Sequence, residues 1–339
     1  MEVIKVRNVH ESLPKALKLL VGGGVLRDSR GGEVLQFPTP VTTVYERPLE
    51  RVIFWRERDA NPFFHLYEAL WMLRGRNDVA GVARYASNMK DYSDNGEFFH
   101  GAYGHRWRSW EDQDENWDQL VEIVESLKKD PTDRRCVLSM WDANRDLSFG
   151  GKDLPCNTIA TFQIGTDGRL NLTVFCRSND IVWGCYGANA VQFAFLLEYM
   201  AHWIGVPVGT YSQVSVNWHG YLKTMGKVLI LAHKPDSHKN PYEMGVRSIP
   251  LATPDLSIEE LDLRIDWLLF QADHNGMIGQ YAAEFNDDQP FFDMAYRVLK
   301  AHSLHKEGNM REAMNMLAGA DQTADWVVAA KEWLERRVK

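Results

Sequence analysis

Apolar and polar positions along this chain repeat with two different periods, and the changes of period mark its elements. Residues 11–20 (ESLPKALKLL) place apolar side chains three and four apart and predict an amphipathic helix, whereas residues 33–45 read as extended. Asn61-Pro62 opens FFHLYEALWML, a helix apolar on nearly every side that runs to Leu73 and stops at Gly75. Strands are expected over 135–141, 158–164 and 170–177, the last two joined by a Thr-Asp-Gly turn as a hairpin. A long apolar helix over 189–204 leads to a further strand over 211–216. From Ser257 the texture changes: Ser257 and Glu260 match a capping box, and helical spacing continues to the end with little strand signal. On the last helix Trp326, Ala330, Trp333 and Leu334 form an apolar stripe, expected to dock on the body rather than to meet a ligand. The division that follows is an α/β body over 1–250 and a helical C-terminal extension over 251–339 packed on it.

Composition narrows the class. With 339 residues, 45% hydrophobic and 25% charged, the chain can bury a large core. Its N-terminus, MEVIKVRNVHESLPKALKLL, lacks the uninterrupted apolar core of a signal peptide, and no run approaches the ~20 apolar residues of a membrane span. A cytoplasmic location is expected, without membrane partners. Cys136, Cys156, Cys176 and Cys185 show neither a CxxC pair nor zinc-ligand spacing, so they are read as reduced thiols and no metal is expected. A net charge of -8 argues against general nucleic-acid binding, yet leaves room for a local arginine cluster that holds one phosphate.

Three features carry candidate chemistry. Glu68 has Phe64, His65, Trp71 and Met72 as its neighbours three and four residues away, so its helix face is mostly apolar. If buried, its pKa rises toward neutrality and suits a general acid/base; the alternative is an ion pair with an arginine. Arg134, Arg135 and Arg177 fall on predicted strands, where each alone would face water; with Arg30 in the turn DSRGGE they could supply bidentate phosphate contacts. Cys156, between a proline and an asparagine at the mouth of a predicted strand, sits where side chains meet ligands.

These residues lie in strings that resemble one family. DPTDRRCVLSMWD, LPCNT, GRLNLTVFCRSNDIVWG and NWHGYLK, with FFHLYEALWMLRGRND and AYGHRWRSW upstream, are similar to the folate-dependent thymidylate synthase and dCMP hydroxymethylase family over about residues 25–223. The resemblance implies a large mixed β-sheet flanked by helices and a sheet-to-sheet homodimer. It implies a one-carbon transfer from 5,10-methylenetetrahydrofolate to the 5-position of a pyrimidine nucleoside monophosphate. Cys156 matches the nucleophile that adds to C6, a role suited to a thiolate whose pKa nearby cations lower. By the same resemblance Arg30, Arg134, Arg135 and Arg177 hold the phosphate, Arg134 and Arg135 from the second subunit. Glu68 and Tyr103 match the proton-transfer network, Ser178 a serine near the sugar and phosphate, and His219 and Tyr221 the pair on the sugar 3'-hydroxyl. Asp180 and Trp71 match residues on the folate side, and Asp180 is also counted as catalytic. Cys136, Cys176 and Cys185 are read as packing residues.

Departures from the pattern bear on the product. Asn88 stands where typical thymidylate synthases carry a tryptophan against the folate, Asn157 where they carry a histidine, and the helical tail replaces their closing C-terminus. All three favour water over hydride as the final nucleophile, and so a hydroxymethyl over a methyl product; reductive methylation is the alternative. A silent nucleotide-binding homologue and an assembly component docking a partner on the Trp326/Trp333 stripe are the other-class readings. The base reader is Asn189 if the preceding loop has one extra residue, and Ala188 otherwise. An asparagine favours uracil without excluding cytosine, which puts dUMP ahead of dCMP, and Asn189 as a helix cap is compatible with both.

Overall fold

The computed structural model describes residues 1–112, 115–234, 239–274 and 289–338. Its strands are β1 (Glu2–Val6), β2 (Val25–Ser29), β3 (Gly32–Gln36), β4 (Val41–Tyr45), β5 (Trp110–Asp112), β6 (Glu115–Trp117), β7 (Val137–Ser139), β8 (Asn157–Ile164), β9 (Leu170–Asp180) and β10 (Val208–Tyr221). The helices of the body are α1 (Val9–Gly23), α2 (Pro62–Leu73), α3 (Val79–Ala83), α4 (Tyr103–Arg108), α5 (Gln119–Lys129), α6 (Ala143–Asp146), α7 (Asn189–Ile204) and α8 (Leu222–Met225). Those that follow are α9 (Ile258–Asp273), α10 (Pro290–Lys306), α11 (Met310–Ala318) and α12 (Asp325–Glu335).

The main sheet runs β1-β4-β10-β9-β8-β7, with the β2–β3 hairpin attached to the far end of β10. β1 pairs β4 and β9 pairs β10 in parallel, while the other ladders are antiparallel, so the sheet is mixed as expected. Along β9 and β10 buried and half-buried residues alternate, the signature of a sheet covered on one face only. On the less covered face lie Ile159, Phe175 and Val214, with Val216 56% exposed.

Helices α2 and α7 pack on each other at the centre of the core. Both are apolar around their whole circumference, which fits burial on every side. Asn61 starts α2 as its N-cap, accepting the Phe64 backbone N–H at 3.1 Å, with Pro62 in the first turn. Both helices span the expected residues.

Three expectations need correction. β7 covers only Val137–Ser139, so Arg134 and Arg135 lie in the exposed loop ahead of it and not on a strand. β10 extends well beyond 211–216, because the polar stretch Asn217 to His219 still pairs with β9. Between β9 and α7 the expected loop is a π-helical segment, Ile181–Ala188, broken by a kink at Tyr186 and Gly187, whose dihedrals are non-helical.

The C-terminal helices pack against α2. Trp333 meets Phe63 edge-on at 5.3 Å between ring centroids, and Trp326 packs 6.1 Å from Phe195 of α7. The expected Ser257/Glu260 capping box opens α9. Acidic residues of α9 then clasp the end of α2: Asp266 takes both ends of the Arg74 guanidinium at 2.7 Å, and Asp273 accepts the Tyr67 hydroxyl at 2.6 Å.

Candidate active site

A cavity of about 780 Å3 opens beside α2, and side chains from distant parts of the chain converge on it. Phe64, Glu68 and Trp71 come from α2, Asn88 from a short turn of helix, Tyr103 from the head of α4, Asp153 from the loop before Cys156, and Gln192 from α7. The opposite wall comes from the C-terminal helices: Lys306, Trp333 and Arg337. Trp333 therefore docks, as expected of the apolar stripe, and also faces the cavity, which was not expected.

Glu68 is 7% exposed, and among the described residues its hydrogen-bond partner is the Gln192 amide, whose Nε2 donates at 2.7 Å. Burial raises its pKa to about 7, and the Gln192 hydrogen bond only partly opposes this. No arginine pairs with it among the described residues. Of the two readings open in the sequence, the geometry fits the buried, titratable carboxyl.

Cys156 enters β8 beside the cavity and is partly buried. The Tyr103 hydroxyl accepts the backbone N–H groups of Cys156 at 3.1 Å and Asn157 at 3.3 Å, fixing the strand mouth to the cavity wall. Arg177, one strand over on β9, donates to the carbonyls of Pro155 at 2.9 Å and Leu154 at 3.3 Å, and stacks over Trp141. Burial pushes the thiol's pKa up; Arg177 and Arg30 pull it down, and Asp153 adds to the rise. The cations expected around the thiol are present, but burial outweighs them and the net shift is upward.

Parallel pairing of β9 and β10 aligns most of the remaining candidates. Asn217 lies opposite Ser178, and His219 opposite Asp180. His219 is buried, its Nδ1 2.9 Å from the Asn217 side-chain oxygen and its ring 5.2 Å from that of Tyr221. Tyr221 in turn packs on the Arg30 turn: a Cβ on Gly31 would fall 2.8 Å from its hydroxyl, so a larger residue there would push the tyrosine ring aside. Asp180 caps the π-helical segment, accepting the Trp183 backbone N–H at 2.7 Å, while its Oδ1 is buried without a partner among the described residues. Burial raises its pKa.

Asn189 is buried at the head of α7, but it caps nothing: its Nδ2 donates to Asn179 at 3.2 Å. Asn179 in turn donates its own amide to the Ser215 hydroxyl at 3.0 Å. Ala188, the alternative position, lines the cavity, while Asn189 follows it as the first residue of α7.

Arg134 and Arg135 are not brought to this cluster. Both are exposed at the β7 edge of the sheet, and Arg135 pairs with Asp133 of its own loop at 2.8 Å. Cys136, Cys176 and Cys185 are fully packed, as expected. Sequence reading missed Gln192, Asp153, Lys306 and Arg337 at the cavity. For Arg337 a signal existed, since it stands four residues after Trp333 and its guanidinium lies 3.4 Å from the ring centre.

A thiol at a strand mouth, under the influence of two arginines, is joined through Tyr103 to a cavity that a buried carboxyl lines. The chain belongs to the thymidylate synthase family, whose model matches residues 57–268, more than half its length. It is similar to the "Deoxyuridylate hydroxymethyltransferase" of Pseudomonas phage M6, 50% identical over 99% of this chain and 95% of that protein. A protein of the same name from Bacillus phage SP01 is 38% identical over 62% of this chain and 56% of its own length. A "Putative thymidylate synthase" of Methanosarcina acetivorans is 26% identical over 65% of this chain and 89% of its own.

Proposed function

We propose that the chain is a folate-dependent hydroxymethyltransferase that converts dUMP to 5-hydroxymethyl-dUMP. The observation that carries this reading is the match to the phage M6 protein, which spans the C-terminal helices as well as the family region. The residue roles in this reading are those that the family resemblance implies. Cys156 loses its proton on substrate binding and adds to C6 of the pyrimidine, which makes C5 nucleophilic toward the one-carbon unit of 5,10-methylenetetrahydrofolate. Arg177 and Arg30, whose charges both favour the thiolate, hold the nucleotide phosphate beside it. His219 and Tyr221 meet the sugar, Ser178 the sugar and phosphate, and Asp180, Trp71 and Asn88 serve the folate side.

The Ser215-Asn179-Asn189 relay supports uracil. With one N–H committed to Asn179, the Asn189 amide keeps one donor for O4 and its oxygen for the N3 proton. Cytosine needs the flipped amide, which would break the contact with Asn179.

Water as the final nucleophile fits a cavity with Asn88 and the Glu68–Gln192 pair on its wall. The folate's acidic tail fits the rim, where Arg336 and Arg337 share the single carboxylate of Asp59 at 3.0 and 2.7 Å and Lys306 stands nearby. The half-covered sheet face with Ile159, Phe175, Val214 and Val216 suits a sheet-to-sheet homodimer. Such a dimer would carry Arg134 and Arg135 to the partner's phosphate.

Turnover with methylenetetrahydrofolate and an equimolar mixture of dUMP, dCMP, UMP and CMP tests the reading. The expected product by mass spectrometry is 5-hydroxymethyl-dUMP, with no absorbance of dihydrofolate, and Cys156→Ala abolishes it. A methyl product with dihydrofolate, or a hydroxymethyl cytosine nucleotide, would overturn it.

A further inference from the structure

We propose that Gln192 is the residue that positions the attacking water, forming with Glu68 the seat from which that water reaches the one-carbon unit. This deepens the hydroxymethyltransferase reading and rests on it. Gln192 and Glu68 both line the cavity, and both are buried, 6% and 7% exposed. The Gln192 Nε2 donates to Glu68 at 2.7 Å, which fixes the amide's orientation, because the opposite one would set its oxygen against a carboxylate. Its Oε1 then has no partner among the described residues.

A buried amide oxygen left unpaired costs about 1–3 kcal/mol, so a residue that merely steadied Glu68 would be a poor choice here. A water that donates one proton to Gln192 Oε1 and the other to the Glu68 carboxylate removes that cost. Both its protons are then held at the wall, and its lone pairs face the cavity.

Location agrees. Gln192 lies one helical turn after Asn189 on the same side of α7. If Asn189 takes the O4 edge of uracil, the neighbouring C5 and its exocyclic carbon lie toward Gln192 and Glu68. The step balances without an oxidant or reductant. The water oxygen bonds to the exocyclic methylene carbon, whose π electrons move through C5 and C4 onto O4, and the water proton passes to Glu68. Collapse of that enolate re-forms the C5–C6 double bond and expels the Cys156 thiolate, while tetrahydrofolate leaves unoxidised.

Gln192→Leu keeps the volume and removes the acceptor. In single turnover with enzyme in excess, tritium release from [5-³H]dUMP reports condensation at C5, and chemical quench reports the hydroxymethyl product. The expectation is tritium release within about threefold of wild type and product formation slowed about 10²-fold, with dUMP affinity unchanged. Equal slowing of both steps, or no slowing of product formation, would overturn the proposal. Should the leucine chain fail to bind dUMP, Gln192→Met decides, since it matches the glutamine's length and lacks its acceptor: near-normal tritium release with slowed product formation supports the seat, and any other pattern refutes it. Wild type run in parallel separates the two readings, since a methyl product there would remove the hydroxymethyltransferase assignment itself and the water seat with it.

Discussion

At the scale of single residues, the site rests on groups whose burial sets their chemistry. Glu68 takes up and releases a proton near neutrality because α2 presents it to apolar neighbours and only an amide reaches it. As the acceptor of the water proton it must be ionised. The rate therefore rises with pH through about 7, and the acid limb belongs to this carboxyl. Glu68→Gln should lower kcat by about 10²–10⁴-fold and remove that limb, as measured by kcat against pH from 5.5 to 9. A limb that persists in the variant would assign it to another group. The thiol shifts opposite to the expectation from its cations alone: burial raises the Cys156 pKa more than Arg177 and Arg30 lower it.

Elements fix where those residues meet, and they differ in how legible they are. The bounds of α2 and α7 are readable because Asn61-Pro62 and an unbroken apolar run are local signals. The β8–β9 hairpin is readable from its turn, where Gly168 has φ +76°. The π-helical segment is not, since IVWGCYG has the composition of any buried helix. Arg134 and Arg135 mislead for a related reason: their apolar neighbours read as strand, but the ladder starts only at Val137. Cavity residues such as Lys306 and Arg337 are brought in by packing over long sequence distances, which spacing does not report. The junction of β9, β10 and α7 carries its own prediction. Asn179→Ala frees the Asn189 amide to turn, and the preference in kcat/KM for dUMP over dCMP should fall about tenfold, the loss of one buried hydrogen bond. An unchanged preference would mean that the base is read elsewhere.

At the scale of the whole molecule, the C-terminal helices belong to the architecture of the site, since one wall of the cavity is theirs. Their attachment includes a buried polar cluster: Asp325, at the start of α12, accepts the Tyr242 hydroxyl at 2.9 Å, and the Tyr242 oxygen accepts the Val52 backbone N–H at 3.2 Å. Burial raises the Asp325 pKa to about 7, although Arg51 and the Tyr242 hydrogen bond oppose it. A carboxyl with a raised pKa binds its proton more tightly in the folded chain. Its contribution is thus complete below the pKa of the unfolded group and is lost as pH rises through about 7. Between pH 6 and pH 8 that amounts to roughly 1 kcal/mol, and Glu68 adds a loss of the same sign. Urea midpoints should therefore fall between these pH values, and Asp325→Asn should remove about half of the fall. Because α12 brings Trp333 to the cavity and Arg337 follows directly after it, the same pH rise should raise KM for the folate more than KM for dUMP. The residues proposed for the nucleotide lie on β9, β10, the β2–β3 turn and the head of α7, away from Lys306, Trp333 and Arg337. Equal rises in both constants would show that the C-terminal helices stabilise the fold without shaping the folate side.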